Sequence, residues 1–365
     1  MNKNDILTIY GSNPTKMTKA LLQSIDFALL IPNKKASIAL KPNLVVAVTA
    51  DSGATTHPEI AIAIIEHLQA LGYMNISIVE SAWIGDSTKE GFRINGYNQI
   101  SDRFSVPLID VKDDEYVKKT VGKVTMEVSK TILEADFLIS LPVLKGHCQT
   151  SMTCALKNMK GCISDRSKRL FHTLGLHNPI ATLNAVRCAD LIIVDSLNGD
   201  LDFEEGGNPV ETHRMFATTD SVLCDSYGSS LMGFELRDIP YIGFAEDLGV
   251  GSADLSKANV IQLNEPSDEE PAKPSGRVSY LAKHTEPISA CSACYGNLIH
   301  ALKRLDEVDR LDSVSVPICI GQGYKGIDDP TKVGVGICTK GLGKSLAGCP
   351  PKAIDMIAFL KKLNP

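Results

Sequence analysis

Four cysteines near the C-terminus carry the most specific chemistry in this sequence. Cys291-Ser292-Ala293-Cys294 is a C-x-x-C pair, Cys338 stands in Gly336-Ile337-Cys338-Thr339, and Cys349 in Gly348-Cys349-Pro350-Pro351. A C-x-x-C turn aims two thiolates at one centre. Two further cysteines brought up by the fold complete the four ligands of an iron–sulfur cluster, the 4Fe-4S type above all. Cysteine followed by proline suits a ferredoxin-type ligand, where Pro350 redirects the chain and gives apolar cover. Glycines beside Cys338 and Cys349 let backbone amides approach the sulfides. Zinc takes the same ligands, but usually in two closely spaced pairs, and the second pair here is widely spaced. A dithiol redox pair at Cys291 and Cys294, or plain buried thiols, are the other readings. Cys319 lies in the apolar run Val316-Pro317-Ile318-Cys319-Ile320-Gly321 and reads as core.

A second group of polar residues falls where strands end. Lys145 and His147 follow the apolar segment Leu138–Leu141, and Lys157, Asn158 and Lys160 come shortly after. Ligands of open parallel sheets bind beyond the carboxyl ends of the strands, so this cluster suits an anionic substrate, with helix amides near Ser151 in support and His147 moving protons. Lys145 and His147 are therefore the catalytic candidates. Lys41 and Asn43, in Lys41-Pro42-Asn43, sit at another strand end. Asp195 closes a third, ahead of a turn rich in Asp, Glu and Gly that includes Glu204 and Glu205. Lys41, Asn43, Lys157, Asn158 and Asp195 are the substrate-binding candidates. Thr55 or Thr56 is expected to cap the helix that opens at Pro58. Turn chemistry and a solvated loop explain many of the same residues. Of the remaining cysteines, Cys188 and Cys224 read as core on helical faces, while Cys148, Cys154 and Cys162 fall in the Lys145 region.

The elements that must hold these residues alternate. Ile6–Tyr10, Ala36–Leu40, Ile76–Glu80, Ala135–Leu141 and Asp190–Asp195 read as strands; Lys16–Leu30, Pro58–Ala70, Thr150–Met159 and Ser221–Met232 read as helices. That rhythm predicts an α/β fold, with a mostly parallel sheet covered by helices on both faces. An acidic, proline-rich stretch separates an α/β domain over 1–263 from a small cysteine-bearing module over 278–365, with 264–277 as linker or long loop.

Composition narrows the function. The 365-residue chain is 44% hydrophobic and 22% charged, enough to bury a full core. A net charge of −6 without basic clusters argues against nucleic acid. No signal-peptide pattern or bilayer-length apolar run is present, so a cytoplasmic protein without membrane insertion is expected. In a reducing compartment ten cysteines point to metal, redox chemistry or burial rather than disulfides. The sequence contains no G-x-x-x-x-G-K-[ST], no G-x-G-x-x-G after the first strand, no G-x-S-x-G and no H-E-x-x-H.

Several of these motifs occur together in order: Lys41-Pro42-Asn43, Leu141-Pro142 through Lys145 and His147, Leu156-Lys157-Asn158-Met159-Lys160-Gly161, Asp195, Gly206-Gly207-Asn208-Pro209, and Pro240 through Gly251. Over about residues 35 to 255 the chain resembles the family named domain of unknown function 362. The resemblance implies an α/β fold and association with iron–sulfur segments, but no particular reaction. The compact C-x-x-C-x-x-C run of bacterial ferredoxins is absent here. A more distant likeness is to nickel-pincer lactate racemases, in which Lys and His at strand ends serve cofactor and substrate. The expected function is iron–sulfur binding with redox or electron transfer, coupled to an anionic substrate or a redox partner. A binding or assembly protein with a structural four-cysteine metal site is the alternative.

Overall fold

The computed structural model describes residues 1–31, 33–265, 272–314 and 316–363. The chain forms two compact units, one of residues 1–167 and 177–274, the other of residues 168–176 and 275–365. The predicted linker falls partly on 266–271, outside the described residues.

The first unit is built on an eight-stranded sheet. In spatial order its strands are Asn259–Gln262, Asp5–Tyr10, Arg214–Thr218, Leu191–Ser196, Phe137–Leu141, Ile38–Pro42, Ile76–Glu80 and Leu108–Asp110. The five from Leu191–Ser196 to Leu108–Asp110 are mutually parallel, whereas Arg214–Thr218 runs antiparallel to both of its neighbours. Strands such as Leu191–Ser196 and Phe137–Leu141 are buried along their whole length, which is why they read as mainly apolar, broken only by Ser140 in one and by Asp195 and Ser196 at the end of the other. Pro58–Ala70 supplies Ile60, Ile64, Ile65 and Leu68 to one face of the sheet, at helical spacing. The expected mixed α/β architecture with a mostly parallel sheet is therefore what the chain adopts.

Local departures have identifiable causes. The predicted helix over Lys16–Leu30 is two helices, Pro14–Gln23 and Phe27–Leu30, the second opened by Asp26, whose carboxylate accepts from the Ala28 amide. Thr150–Met159 is no continuous helix. Lys145–His147 pairs antiparallel with Ser151–Thr153, Ser151 sits at φ 63°, and only Ala155–Asn158 is α-helical. Helix amides near Ser151 are consequently not on offer to an anion. Thr56 caps no helix: the cap residue is His57, without a side-chain cap bond, while Thr56 Oγ1 accepts from the Asn43 amide (2.8 Å) and donates to Leu141 O (2.6 Å). Cys188 lies past the end of its helix and is half-buried; Cys224 is fully buried on Ser221–Leu231.

The second unit carries a four-stranded parallel sheet in the order Thr285–Pro287, Ile318–Ile320, Asp329–Val335, Leu342–Leu346. Helix Ser292–Asp306 buries Leu298, Ile299, Leu302 and Leu305 along one stripe, and Ala353–Lys361 adds Met356 and Leu360. Residues 168–176 join this unit through bonds such as Gln322 Nε2 to Arg169 O (3.1 Å) and the Ser292 amide to His172 Nε2 (3.4 Å). No helix of the described residues is long and apolar enough to cross a membrane.

Candidate functional site

In the second unit all four cysteines of the C-terminal set lie just past the carboxyl ends of parallel strands, hence at one edge of the sheet. Cys291 and Cys294 follow Thr285–Pro287, with Cys291 as the cap of Ser292–Asp306 and Cys294 in its first turn. Cys338 follows Asp329–Val335 and Cys349 follows Leu342–Leu346. Backbone bonds tie the last two loops together: Gly336 N–H to Leu346 O and Ile337 N–H to Gly348 O, both 2.8 Å. Asn297 Nδ2 donates to Pro351 O at 2.9 Å, fixing the Cys349-Pro350-Pro351 turn to the helix. Gly336 takes φ 96° and Gly348 φ 141°, conformations that a side chain disfavours.

Electrostatics report the convergence. Burial, and then the proximity of Cys291, Cys349 and Cys338, pushes the Cys294 thiol up to about 12. Burial also raises Cys338, against the pull of Lys325, with Cys349 adding to the rise. Four cysteines at one sheet edge are a donor set suited to a cationic centre, and Cys-only coordination matches an iron–sulfur cluster or zinc. Cys319 stands apart from them, inside strand Ile318–Ile320, 1% exposed and packed with Tyr324 and Leu342.

The first unit gathers its own polar residues at the carboxyl edge of the large sheet, and buries them. Lys41 Nζ pairs with Glu80 Oε2 at 2.7 Å and also donates to Asn158 Oδ1 (3.2 Å) and Pro42 O (3.0 Å). Asn43 Nδ2 donates to the same Asn158 oxygen at 3.1 Å, and Asn158 Nδ2 donates to Ser140 Oγ at 3.0 Å. Lys145 Nζ is held by Asn43 Oδ1 (3.2 Å), Glu204 O (2.9 Å) and Ala54 O. Lys157 pairs with Glu204 Oε1, and His147 Nε2 lies 3.0 Å from Glu204 Oε2, an approach not aligned as a hydrogen bond. His147 Nδ1 accepts from the amides of Gln149 (3.0 Å) and Thr150 (3.1 Å), which puts the ring proton on Nε2, facing the carboxylate. Asp195 Oδ2 takes the His57 amide (2.9 Å) and stands 2.8 Å from His57 Nδ1.

The structure thus brings Lys41, Asn43, Lys145, His147, Lys157 and Asn158 into one network, and gives Asp195 to His57. Two of the essential partners are carboxylates, Glu204 and Glu80. Glu204 stood out as part of an acidic turn. Glu80 did not, although a charged residue closing the apolar strand Ile76–Glu80 was a usable signal. Gly161 is where it is because a Cβ there would meet Glu80 Oε1 at 2.0 Å and Lys41 Nζ at 2.6 Å.

Burial sets the protonation states. It lowers Lys145 to about 7, opposed by Glu204 and reinforced by Lys157. It lowers His147 to about 4, again with help from Lys157, so the imidazole is neutral at pH 7. Burial disfavours the Glu204 carboxylate as well, but Lys157 and His147 outweigh it and hold that group well below the usual range. A lysine that is partly neutral near pH 7 can accept a proton or act as a nucleophile. Its shift has a consequence for stability. Between about pH 7 and 10.5 the folded chain keeps Lys145 neutral while the unfolded chain protonates it, so unfolding takes up a proton and stability rises with pH across that window. Below about 7 both states carry the charge and the contribution is flat. Urea denaturation at pH 7 and pH 9 should show wild type gaining roughly 2 kcal/mol relative to Lys145→Met. Parallel curves for the two proteins would mean that Lys145 is charged in the fold.

The chain is similar to two known proteins and to one family. A thylakoid-associated protein of Synechocystis sp. is 25% identical over 230 residues, covering 58% of this chain and 68% of that protein. The lactate racemase apoprotein from Thermoanaerobacterium thermosaccharolyticum aligns with 62% of this chain and 56% of its own, at 11% identity and a TM-score of 0.43. The chain therefore spans little more than half of that enzyme. The model of the family described as domain of unknown function (DUF362) matches residues 38–230, which include Lys41, Asn43, Glu80, Lys145, His147, Lys157, Asn158, Asp195 and Glu204. Over half of the chain fits that family, and the chain belongs to it.

Proposed function

We propose that this is an iron–sulfur protein whose C-terminal unit holds a cluster, 4Fe-4S in type, on Cys291, Cys294, Cys338 and Cys349, and that it works in redox or electron transfer. The observation that carries the reading is the placement of four cysteines just past three strand ends at one edge of the small sheet. The cluster would supply one-electron chemistry. The chain's own part is to hold the four thiolates, with Lys325 and Arg169 near Cys338 favouring its ionised form. Gly336 leaves its backbone open to a bulky group, whereas Gly348 is packed closely against Pro351.

In the first unit the reading assigns Lys145 and His147 to proton handling, and Lys41, Asn43, Lys157, Asn158 and Asp195 to holding a small anionic substrate or the surface of a redox partner. What supports it is a lysine lowered to about 7 beside a neutral imidazole in one buried network. Glu204 takes the Lys157 charge in this conformation, so a bound anion would have to displace that carboxylate.

The test is purification without oxygen, followed by the visible spectrum and iron, sulfide and zinc analysis of one sample. The expected result is broad absorbance near ~400 nm that bleaches with dithionite, with iron and sulfide in equal amounts. A colourless protein with one zinc overturns the redox reading in favour of a structural staple. Two freely oxidisable thiols and no metal would make Cys291 and Cys294 a dithiol pair; a strand before them and a helix opening at Ser292 satisfy that geometry too.

A further inference from the structure

Cys154, Cys224 and Asp225 form a second cluster of metal-ligating groups, within the first unit and separate from the four C-terminal cysteines. Their ligand atoms all lie within 4.8 Å of one another, and each of the three side chains is 0% exposed. Cys154 Sγ and Cys224 Sγ are 4.0 Å apart. Two sulfurs bound to one tetrahedral zinc, at Zn–S of about 2.3 Å, stand about 3.8 Å from each other. The thiols therefore already have the spacing of a shared ion.

The carboxylate is also oriented before any ion arrives. Asp225 Oδ1 accepts from the Ala155 amide at 2.7 Å, and Oδ2 accepts from Leu156 N–H at 3.3 Å. These bonds fix the side chain in the way outer hydrogen bonds fix metal ligands. Tyr241, whose phenol donates to Met152 O at 3.3 Å, lies beside Asp225 and offers a further oxygen donor. The groups acting most strongly on the Asp225 carboxylate are two backbone amides, Cys154 and Tyr241, none of them cationic. Three acidic groups at zero exposure are a costly arrangement unless the groups stay protonated or a cation joins them.

We propose that Cys154, Cys224 and Asp225 bind a divalent cation of the zinc class in the core of the first unit. Mixed thiolate–carboxylate ligation suits a borderline-soft ion. On binding, the two thiols each release a proton and two metal–sulfur bonds form, with no change of oxidation state. The ion would cross-link the helix Ser221–Leu231 to the segment that begins the Ala155–Asn158 helix, directly ahead of Lys157 and Asn158.

The test uses the full-length protein, grown with zinc and purified without oxygen, as wild type, Cys224→Ser and Asp225→Asn. Asparagine keeps an oxygen to accept from the Ala155 amide, so this variant separates loss of a ligand from loss of the fold. The expected result is about one zinc per wild-type chain beyond any held at the C-terminal cysteines, lost in both variants while iron and visible absorbance stay unchanged. Cobalt added to metal-stripped wild type should give intense near-ultraviolet thiolate-to-metal absorption that is absent in Cys224→Ser. Wild type that takes up neither ion here overturns the proposal. So does zinc retained in both variants, or a Cys154–Cys224 disulfide found by mass spectrometry in the purified chain.

Discussion

Cys294→Ala is expected to give a colourless protein that has lost its iron, whereas Cys319→Ala keeps both colour and iron. Cys294 is the sulfur upon which Cys291, Cys338 and Cys349 all act, and it sits in the first turn of the long Ser292–Asp306 helix, where it is positioned by buried Leu298, Ile299 and Leu302. A cluster left with three thiolates lacks one corner and is open to water and oxygen. Alanine is well tolerated in a helix, so the helix itself survives the change. Cys319 by contrast packs in a small core with Tyr324 and Leu342, and its replacement removes that packing and a weak thiol bond to Glu286 Oε2 (3.7 Å). Iron and sulfide analysis with the visible spectrum decides between them. Colour lost in Cys319→Ala but kept in Cys294→Ala would reassign the ligand set.

Lys41→Met should be among the most destabilising single changes in the first unit, at about 3–5 kcal/mol. The side chains of Lys41 and Glu80 are 0% and 3% exposed and 2.7 Å apart, so removing the cation strands a carboxylate in the core. Asn158 Oδ1 also loses one of its donors. The double variant Lys41→Met, Glu80→Gln should recover part of the loss, because the stranded charge is gone and the single amide oxygen still accepts from one of the two amides, Leu44 or Ser81, that Glu80 now serves. Urea unfolding of the two singles and the double measures the coupling as a double-mutant cycle. Additive costs would mean that the pair does not act as one.

Much of this architecture is legible in the chain because burial on both faces writes itself as apolar runs. Ile76–Glu80 lies where its residues indicate, and Leu191–Ser196 differs from Asp190–Asp195 by one position. The cysteine set catches the eye for a different reason: C-x-x-C and Gly-Cys-Pro are short-range patterns, and each marks a candidate ligand without reference to the rest of the fold. What fails is information that only tertiary packing supplies. The region after His147 has a helical pattern, yet Ser151 at φ 63° turns it into a hairpin, because Lys145 and His147 must be buried beneath the Glu204 loop. Thr56 looks like a cap and instead fastens Asn43 to Leu141, a bond to a residue far along the chain. Glu80 gave no sign of its partner, since a lone carboxylate does not name the lysine it will meet. Nothing in the composition around residues 168–176 marks them as part of the second unit.

That last feature bears on how the protein is made. Residues 168–176, including the fully buried Phe171, leave the ribosome long before residues 275–365 that complete their unit exist. Asp5–Tyr10 waits as well, since both of its neighbours, Arg214–Thr218 and Asn259–Gln262, are translated much later. The nascent chain must therefore carry an unpaired strand through more than half of translation, and for part of that time residues 168–176 without the rest of their unit, the state in which chaperones bind and aggregation begins.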